Sequence, residues 1–254
     1  MRPVMTGGER PVRYAPGTMG EMRHRVLACD YDGTLATEGV CSPATVATLR
    51  RVAEAGMRLI LVTGRTREEL EDVFDVRDLF AAIVVENGAV VIDAASGEET
   101  LLGPRLPRGL IAELERRGVH PLVVGRVLCS TDRSEEPKLL AAIARLGVDR
   151  QVVRNRESAM VMPPGINKRT GLEVALRAIG EMPSATVAVG DGENDVALFA
   201  VAGVSVAVAN AVEMLKARAD VVLTHPNGKG VADLAAALLA GDLGALTALS
   251  PMAG

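Results

Sequence analysis

One stretch decides the fold class of this chain: VLACDYDGT, residues 26–34. A short apolar run, 26–29, is followed at once by the carboxylate of Asp30, with Asp32 two residues further on. A buried strand that ends in a polar turn is typical of a parallel sheet, where ligands bind at the carboxyl ends of the strands. Gly33 allows the backbone to turn sharply there. The stretch therefore predicts a strand whose end carries functional groups.

Two neighbouring carboxylates, Asp30 and Asp32, can share a divalent cation or divide the work of nucleophile and acid/base. An EF-hand calcium loop is excluded, because Leu35 and Cys41 stand where that loop requires Gly and Glu. A polar turn that caps a helix stays open as an alternative.

Outward from this stretch, strands and helices alternate. Ser42 and Pro43 are a good N-cap and first helical residue. A strand over Arg58–Val62, a helix over Thr66–Val73 and a strand over Ala82–Val85 follow. This β-α-β-α-β order predicts a parallel sheet.

Between Asp93 and Met162 the order changes to αββαββ, which implies antiparallel pairing; the β/α alternation resumes at Asn167. The predicted fold class is α/β: a doubly wound, Rossmann-like parallel sheet with a small inserted α+β cap domain. The predicted organisation is a disordered arm (1–24), a core (25–92 and 163–243), a cap (93–162) and a flexible tail (244–254).

Composition excludes several classes of protein. The 254 residues are 48% hydrophobic, 24% charged and only 2% aromatic, with a net charge of −4. A nucleic-acid binder would need basic and stacking surfaces, so no nucleic-acid partner is expected. No apolar run approaches the roughly 20 residues of a membrane span, and the N-terminus lacks a secretory apolar region. Three cysteines without a CxxC pair indicate neither a zinc site nor a disulfide framework. We therefore expect a cytoplasmic protein.

A second acidic turn follows another apolar run in VAVGDGEND, residues 187–195. Asp191 lies at the predicted strand end, and Asp195 lies one helical turn beyond it. The alternative that stays open is structural: these acidic residues could simply stabilise the N-terminus of a helix through its dipole. A dinucleotide-binding motif, G-x-G-x-x-G, fits the stretch less well, because Asp195 occupies the position of its third glycine.

Two further features supply hydrogen-bond donors. Thr63 follows a strand, before Gly64 and Arg65, and could donate to a phosphoryl oxygen; alternatively it caps the helix from Thr66. Lys168 stands near a helix start, where a cation opposes the helix dipole, which hints at a negative ligand. A solvated surface lysine is the alternative. Four arginines of the insert are each expected to lie on a solvated surface, with contact between some of them and an anionic substrate as the alternative: Arg126, Arg133, Arg154 and Arg156.

Together these features provide carboxylates, a hydroxyl and a cation in one α/β frame. Phosphoryl transfer needs such a set, because the charge of the moving group must be neutralised while a positioned oxygen attacks in line.

With its motifs DYDGT (30–34), VTGR (62–65), Lys168 in GINK and GDGEND (190–195), the chain resembles the haloacid dehalogenase superfamily, in particular Cof-like phosphatases with a C2-type cap. Glu86-Asn87-Gly88-Ala89 also resembles that group's E-N-G-A stretch. The resemblance covers roughly residues 25–240, and the cap is short for the Cof-like group.

The resemblance implies roles for these residues. Asp30 would be the nucleophile that forms an aspartyl-phosphate, and Asp32 would protonate the leaving oxygen and then activate water. Mg²⁺ would be held by Asp30, the backbone carbonyl of Asp32, and Asp191, with the assistance of Asp195. The implied phosphate- and substrate-binding residues are Gly33, Thr63, Gly64, Arg65, Lys168 and Asn194.

The function expected from the resemblance is Mg²⁺-dependent hydrolysis of a small phosphorylated metabolite, such as a sugar phosphate or phosphoglycolate. One alternative is a mutase of the phosphomannomutase type, which returns the phosphoryl group to a sugar; water exclusion by the cap decides between them. The other is a non-catalytic phosphate-binding module. Product analysis separates the phosphatase from the mutase. The sequence leaves the oligomeric state open.

Overall fold

The computed structural model describes residues 24–74 and 77–247. Apart from residue 24, the arm predicted over 1–24 lies outside this part of the chain, as do residues 248–254 of the predicted tail. The first residues assigned to that tail, Gly244–Thr247, form a short helix.

Fourteen strands and nine α-helices fall within the described residues. The strands are β1 (Val26–Cys29), β2 (Ala36–Thr37), β3 (Val40–Cys41), β4 (Arg58–Val62), β5 (Ala82–Val85), β6 (Val90–Asp93), β7 (Glu99–Leu101), β8 (Val123–Val124), β9 (Cys129–Asp132), β10 (Gln151–Asn155), β11 (Ser158–Met162), β12 (Thr186–Gly190), β13 (Val204–Ala207) and β14 (Val221–Val222). The helices are α1 (Pro43–Glu54), α2 (Arg67–Glu71), α3 (Arg108–Arg116), α4 (Glu136–Leu146), α5 (Lys168–Ala178), α6 (Asp195–Phe199), α7 (Glu213–Lys216), α8 (Asn227–Ala240) and α9 (Gly244–Thr247).

An eight-stranded sheet in the order β14-β13-β12-β1-β4-β5-β6-β7 forms the centre. Its strands are parallel from β14 to β5, and β6 and β7 add an antiparallel edge. β1 is completely buried, as its continuous apolar sequence predicts for a central parallel strand. The α/β fold class is confirmed.

Helices cover this sheet and hold its loops. α1 packs against α8, and α5 packs against α6 and β5. α1 begins as predicted, because the Ser42 hydroxyl accepts a hydrogen bond from the Thr45 N–H at 3.1 Å and Pro43 is its first residue.

The insert forms a separate antiparallel sheet in the order β10-β11-β9-β8. Its helices α3 and α4 contribute Leu110, Leu114 and Leu139 to a buried apolar cluster of its own. The αββαββ order is thus confirmed, while the domain boundaries stay a prediction.

Two elements differ from the expectation. No strand is predicted over residues 99–101, which fall in the predicted insert, yet β7 pairs with β6 in the larger sheet, with Leu101 opposite Val90. A three-residue strand at a sheet edge has no distinctive sequence pattern, and only its antiparallel neighbour fixes it. The β2–β3 hairpin was not predicted; its turn at Glu38 and Gly39 has φ angles of 51° and 79°.

Within the described parts of the chain, none of the helices is both long and apolar enough to cross a membrane.

Candidate active site

Three neighbouring strands place polar residues at one edge of the sheet. β12, β1 and β4 are adjacent and parallel, and Asp191, Asp30 and Thr63 follow their last residues. The turn after Asp30 leads into the β2–β3 hairpin and not into a helix, so the helix-capping alternative for this turn is wrong. The topology therefore brings together side chains that are up to 161 positions apart in the sequence, from 30 to 191.

Lys168 links two of the acidic segments. It is the first residue of α5, its side chain is 1% exposed, and its Nζ donates to Asp30 Oδ1 and Asp195 Oδ1, both at 2.6 Å. The Asn167 side chain caps the helix. The surface-lysine alternative is therefore wrong.

Asp30, Asp191 and Asp195 form a compact buried group. One oxygen from each carboxylate lies within 4.8 Å of the others. Three oxygen ligands at this spacing suit a hard divalent cation such as Mg²⁺. Asp195 also binds the loop before α6, because its Oδ2 accepts from the backbone N–H groups of Asp191 and Gly192 at 2.9 Å.

The electrostatics of this group are dominated by burial. Burial and the charge of Asp195 raise the pKa of Asp30 above its usual range, against the opposing effect of Lys168. Burial and Asp195 likewise raise the pKa of Asp191. Burial alone would lower the pKa of Lys168, but the charges of Asp195 and Asp30 outweigh it and raise that pKa. The site thus has a high affinity for positive charge.

Asp32 is not part of this buried group. Its two carboxylate oxygens accept from Nε and Nη2 of Arg65, both at 2.7 Å, and the Asp32 side chain is 48% exposed. The guanidinium of Arg65 also lies 5.3 Å from the ring centroid of Tyr31. The paired cation of Arg65 therefore fixes the orientation of the Asp32 carboxylate. Its backbone role toward a metal, and the phosphate-binding role of Arg65, stay predictions.

Thr63 is buried, and its hydroxyl accepts from the backbone N–H of Arg65 at 3.2 Å. The cap of α2 is Thr66, in a capping box with Glu69, so the alternative that Thr63 caps this helix is wrong. Gly64 faces Met160 of the insert, where an added Cβ would lie 3.8 Å from its sulfur.

Gly33 and Asn194 complete the predicted set. Gly33 has a φ of +78°, and a Cβ there would overlap the Asp191 carboxylate, so this approach requires glycine. Asn194 Nδ2 donates to Asn87 Oδ1 at 2.9 Å. Both residues lie at the site, and their roles toward phosphate stay predictions.

The insert also reaches the site, through Arg156 in the turn between β10 and β11. Its Nη2 contacts the Asp191 carboxylate and lies 3.2 Å from the carbonyl of Asn210, and its backbone N–H donates to Glu193 at 3.0 Å. Arg156 is therefore partly exposed, but it also contacts the candidate site, which the prediction of a solvated surface position does not include. A lone arginine in a turn gives no sequence signal for such a contact, because the approach depends on the packing of the insert. Of the other three, Arg126 and Arg154 pair with nearby acids, and Arg133 donates to the Arg156 carbonyl.

Gly88 allows the close approach that places Lys168. Its φ is +101°, and a Cβ there would overlap the carbonyl of Asn167, just before α5. We expect Gly88→Ala to lower the free energy of unfolding by about 3 kcal/mol, since left-handed strain and steric overlap add. Gly118→Ala is the control, because its φ is +65° but nothing lies within 4 Å of the added atom. Gly118→Ala should lower the free energy of unfolding by about 1 kcal/mol. Urea unfolding of both variants measures the difference, and equal losses would contradict the expectation.

Comparisons with known proteins show to which family the chain belongs. The family model of haloacid dehalogenase-like hydrolases matches residues 27–116 and 119–234. The chain is 31% identical to phosphoglycolate phosphatase 2 of Saccharolobus solfataricus, over 86% of this chain and 94% of that protein. It is 33% identical to phosphoglycolate phosphatase of Halorubrum lacusprofundi, over 84% and 96% of the two chains.

Solved structures share the fold. A haloacid dehalogenase-like hydrolase from Bacteroides thetaiotaomicron superposes with a TM-score of 0.67 at 24% identity, covering 84% of this chain and 98% of that one. A sugar phosphatase of subclass IIB superposes with a TM-score of 0.64 at 23% identity, covering 83% and 97%. The family model covers most of the chain, and the chain therefore belongs to the haloacid dehalogenase-like hydrolase family.

Proposed function

We propose that this hydrolase is a Mg²⁺-dependent phosphatase that cleaves a small phosphomonoester through an aspartyl-phosphate. One observation carries the proposal: Asp30 lies at a strand end beside Asp191 and Asp195, with Lys168 bonded to Asp30 and Asp195 at 2.6 Å. This arrangement supplies a nucleophile, positive charge for the phosphoryl oxygens and a set of metal ligands. Relatives named as phosphatases support it.

In the proposed mechanism, a carboxylate oxygen of Asp30 attacks phosphorus while the bond from phosphorus to the leaving oxygen breaks. Asp32 gives that oxygen a proton and then takes one from a water, which attacks the phosphorus of the aspartyl-phosphate. Inorganic phosphate leaves and the Asp30 carboxylate is restored. Since Arg65 binds both oxygens of Asp32, one of these bonds must open during the cycle.

Lys168 and Thr63 would hold the phosphoryl oxygens. The cation of Lys168 would also offset negative charge on the phosphoryl oxygens in the transition state. Bound Mg²⁺, held by Asp30, Asp191 and Asp195, would neutralise phosphoryl charge.

We favour phosphoglycolate as the substrate, ahead of sugar phosphates. Several relatives are named as phosphoglycolate phosphatases. The guanidinium of Arg156, brought over the site by the insert, is suited to a carboxylate on the leaving group. A sugar leaving group would offer it only neutral hydroxyls.

Phosphate release from a panel of small phosphomonoesters tests the proposal. We expect release from phosphoglycolate in the presence of Mg²⁺, and loss of at least about 100-fold in rate when a chelator removes the metal. Chelator-resistant release would contradict the metal requirement. An isomeric sugar phosphate in place of inorganic phosphate would point to a mutase, and no turnover of any compound, with Mg²⁺ bound, would point to a binding module.

A further inference from the structure

Glu86 has surroundings that the proposed mechanism does not use. Its side chain is buried, at 1% exposure, and it follows β5 in a turn where Glu86 and Asn87 have φ angles of 53° and 55°. Two consecutive non-glycine residues in the left-handed region are strained and persist only where the surrounding structure holds them.

The carboxylate of Glu86 binds backbone of the insert. Oε1 accepts from the N–H of Arg126 at 2.7 Å, and Oε2 accepts from the N–H groups of Val127 and Leu128 at 2.8 and 3.0 Å. These three residues lie between β8 and β9 of the smaller sheet. Charge-assisted bonds to backbone N–H groups are stronger than neutral ones, and three of them define the position of a segment closely.

The same turn is joined to the candidate active site. The N–H of Glu86 donates to the carbonyl of Arg65 at 2.8 Å, and the N–H of Asn87 donates to the carbonyl of Thr63 at 2.9 Å. The Asn87 side chain accepts from Asn194. The side chain of Glu86 thus binds the insert. The backbone N–H groups of Glu86 and Asn87 bind the loop after β4, and the side chain of Asn87 binds the loop before α6.

We propose that Glu86 is a positioning residue that seats the insert over the active site and thereby sets the position of Arg156 relative to the bound substrate. Two of the contacts between the insert and the core are the Glu86 carboxylate and the contact of Arg156 with Asp191 and Glu193. The first contact places the sheet that carries the second. Its consequence for catalysis rests on the proposed phosphatase function.

Glu86→Gln tests whether these three hydrogen bonds position the insert. Glutamine keeps the shape of the side chain, but it has one acceptor oxygen and turns an NH₂ group toward a backbone donor. Hydrogen exchange at the bonded amides measures how firmly Glu86 holds the insert, without any substrate. We expect the amides of 126–128 to exchange at least about tenfold faster, with unchanged protection in β1 and β4. Glu99→Gln is the matched control: Glu99 contacts the side chain of Arg126 at 3.4 Å but none of these amides.

Kinetics measure the consequence for the substrate. For Glu86→Gln we expect kcat/KM to fall at least about tenfold for phosphoglycolate, mainly through KM, and less than about threefold for acetyl phosphate, whose leaving group carries no second charge. Glu99→Gln should change neither.

Several results would overturn the inference. Unchanged exchange at 126–128 would show that Glu86 does not hold the insert, and equal losses for both substrates would show that it does not position substrate. If Glu86→Gln loses protection from exchange throughout the protein, Glu86→Asp is measured instead, because it keeps the charge on a shorter side chain. Loss of protection throughout the protein in Glu86→Asp as well would contradict a local role of Glu86 in positioning the insert. If the wild type cleaves neither compound, the proposed function fails while the exchange result still decides the seat.

Discussion

Replacing Asp30 by asparagine is expected to abolish phosphate release, with kcat at least about 10⁴-fold lower than in the wild type. Asparagine has the same shape and can still accept a bond from Lys168, but its amide oxygen is a poor nucleophile and cannot form an aspartyl-phosphate. Phosphate release from phosphoglycolate at saturating Mg²⁺ measures the change. Full activity in this variant would refute the covalent mechanism.

Stability separates this catalytic loss from unfolding. Because burial and Asp195 raise the pKa of Asp30, its ionised form is the less favourable one in the folded state. Its contribution to stability is therefore complete at acidic pH and is lost as the pH rises through its folded-state pKa. At neutral pH the neutral asparagine should leave the protein at least as stable as the wild type in urea unfolding with chelator present. Asp149→Asn, at an exposed position of the insert, is the control and should change neither activity nor stability.

Much of this site could be predicted from the sequence, because it depends on local patterns and one topological rule. An apolar run followed by an acid predicts a buried strand with a functional end, and parallel strands end at one edge of the sheet. That rule alone brings Asp30, Thr63 and Asp191 together. Lys168 followed from similar reasoning, since a lysine at a helix start is unfavourable unless it meets negative charge.

The contacts across the insert could not be predicted in the same way. The position of Arg156 depends on how a separate sheet packs over the core, and no local pattern encodes that orientation. Glu86 was part of a recognised stretch, yet its three partners are backbone N–H groups, which carry no sequence signal at all. The strand β7 is not predicted for a related reason: its place depends on pairing with β6 and not on its own three residues.

Lys168→Met is expected to cause the largest loss of stability, about 3–5 kcal/mol in the free energy of unfolding. Methionine fills a similar volume, but it leaves the buried carboxylates of Asp30 and Asp195 without their shared cation. The loss should grow as the pH rises above the ordinary range of a carboxyl pKa, because removal of Lys168 raises the pKa of Asp30 further, and a carboxyl with a raised pKa loses its contribution to stability as it ionises. Urea unfolding across this range, with chelator present, measures it.

Two further variants identify the cause of that loss. Lys229→Met removes an exposed lysine from α8 and should change stability by less than about 0.5 kcal/mol. Adding Asp195→Asn to Lys168→Met removes one of the two uncompensated charges, so the double variant should recover part of the lost stability even though it carries one more substitution. If the two losses simply add, Lys168 serves packing and not charge balance. If recovery is seen, charge balance and not packing explains the loss, and this supports Lys168 as the buried cation that would neutralise a phosphoryl oxygen beside Asp30 in the wild type.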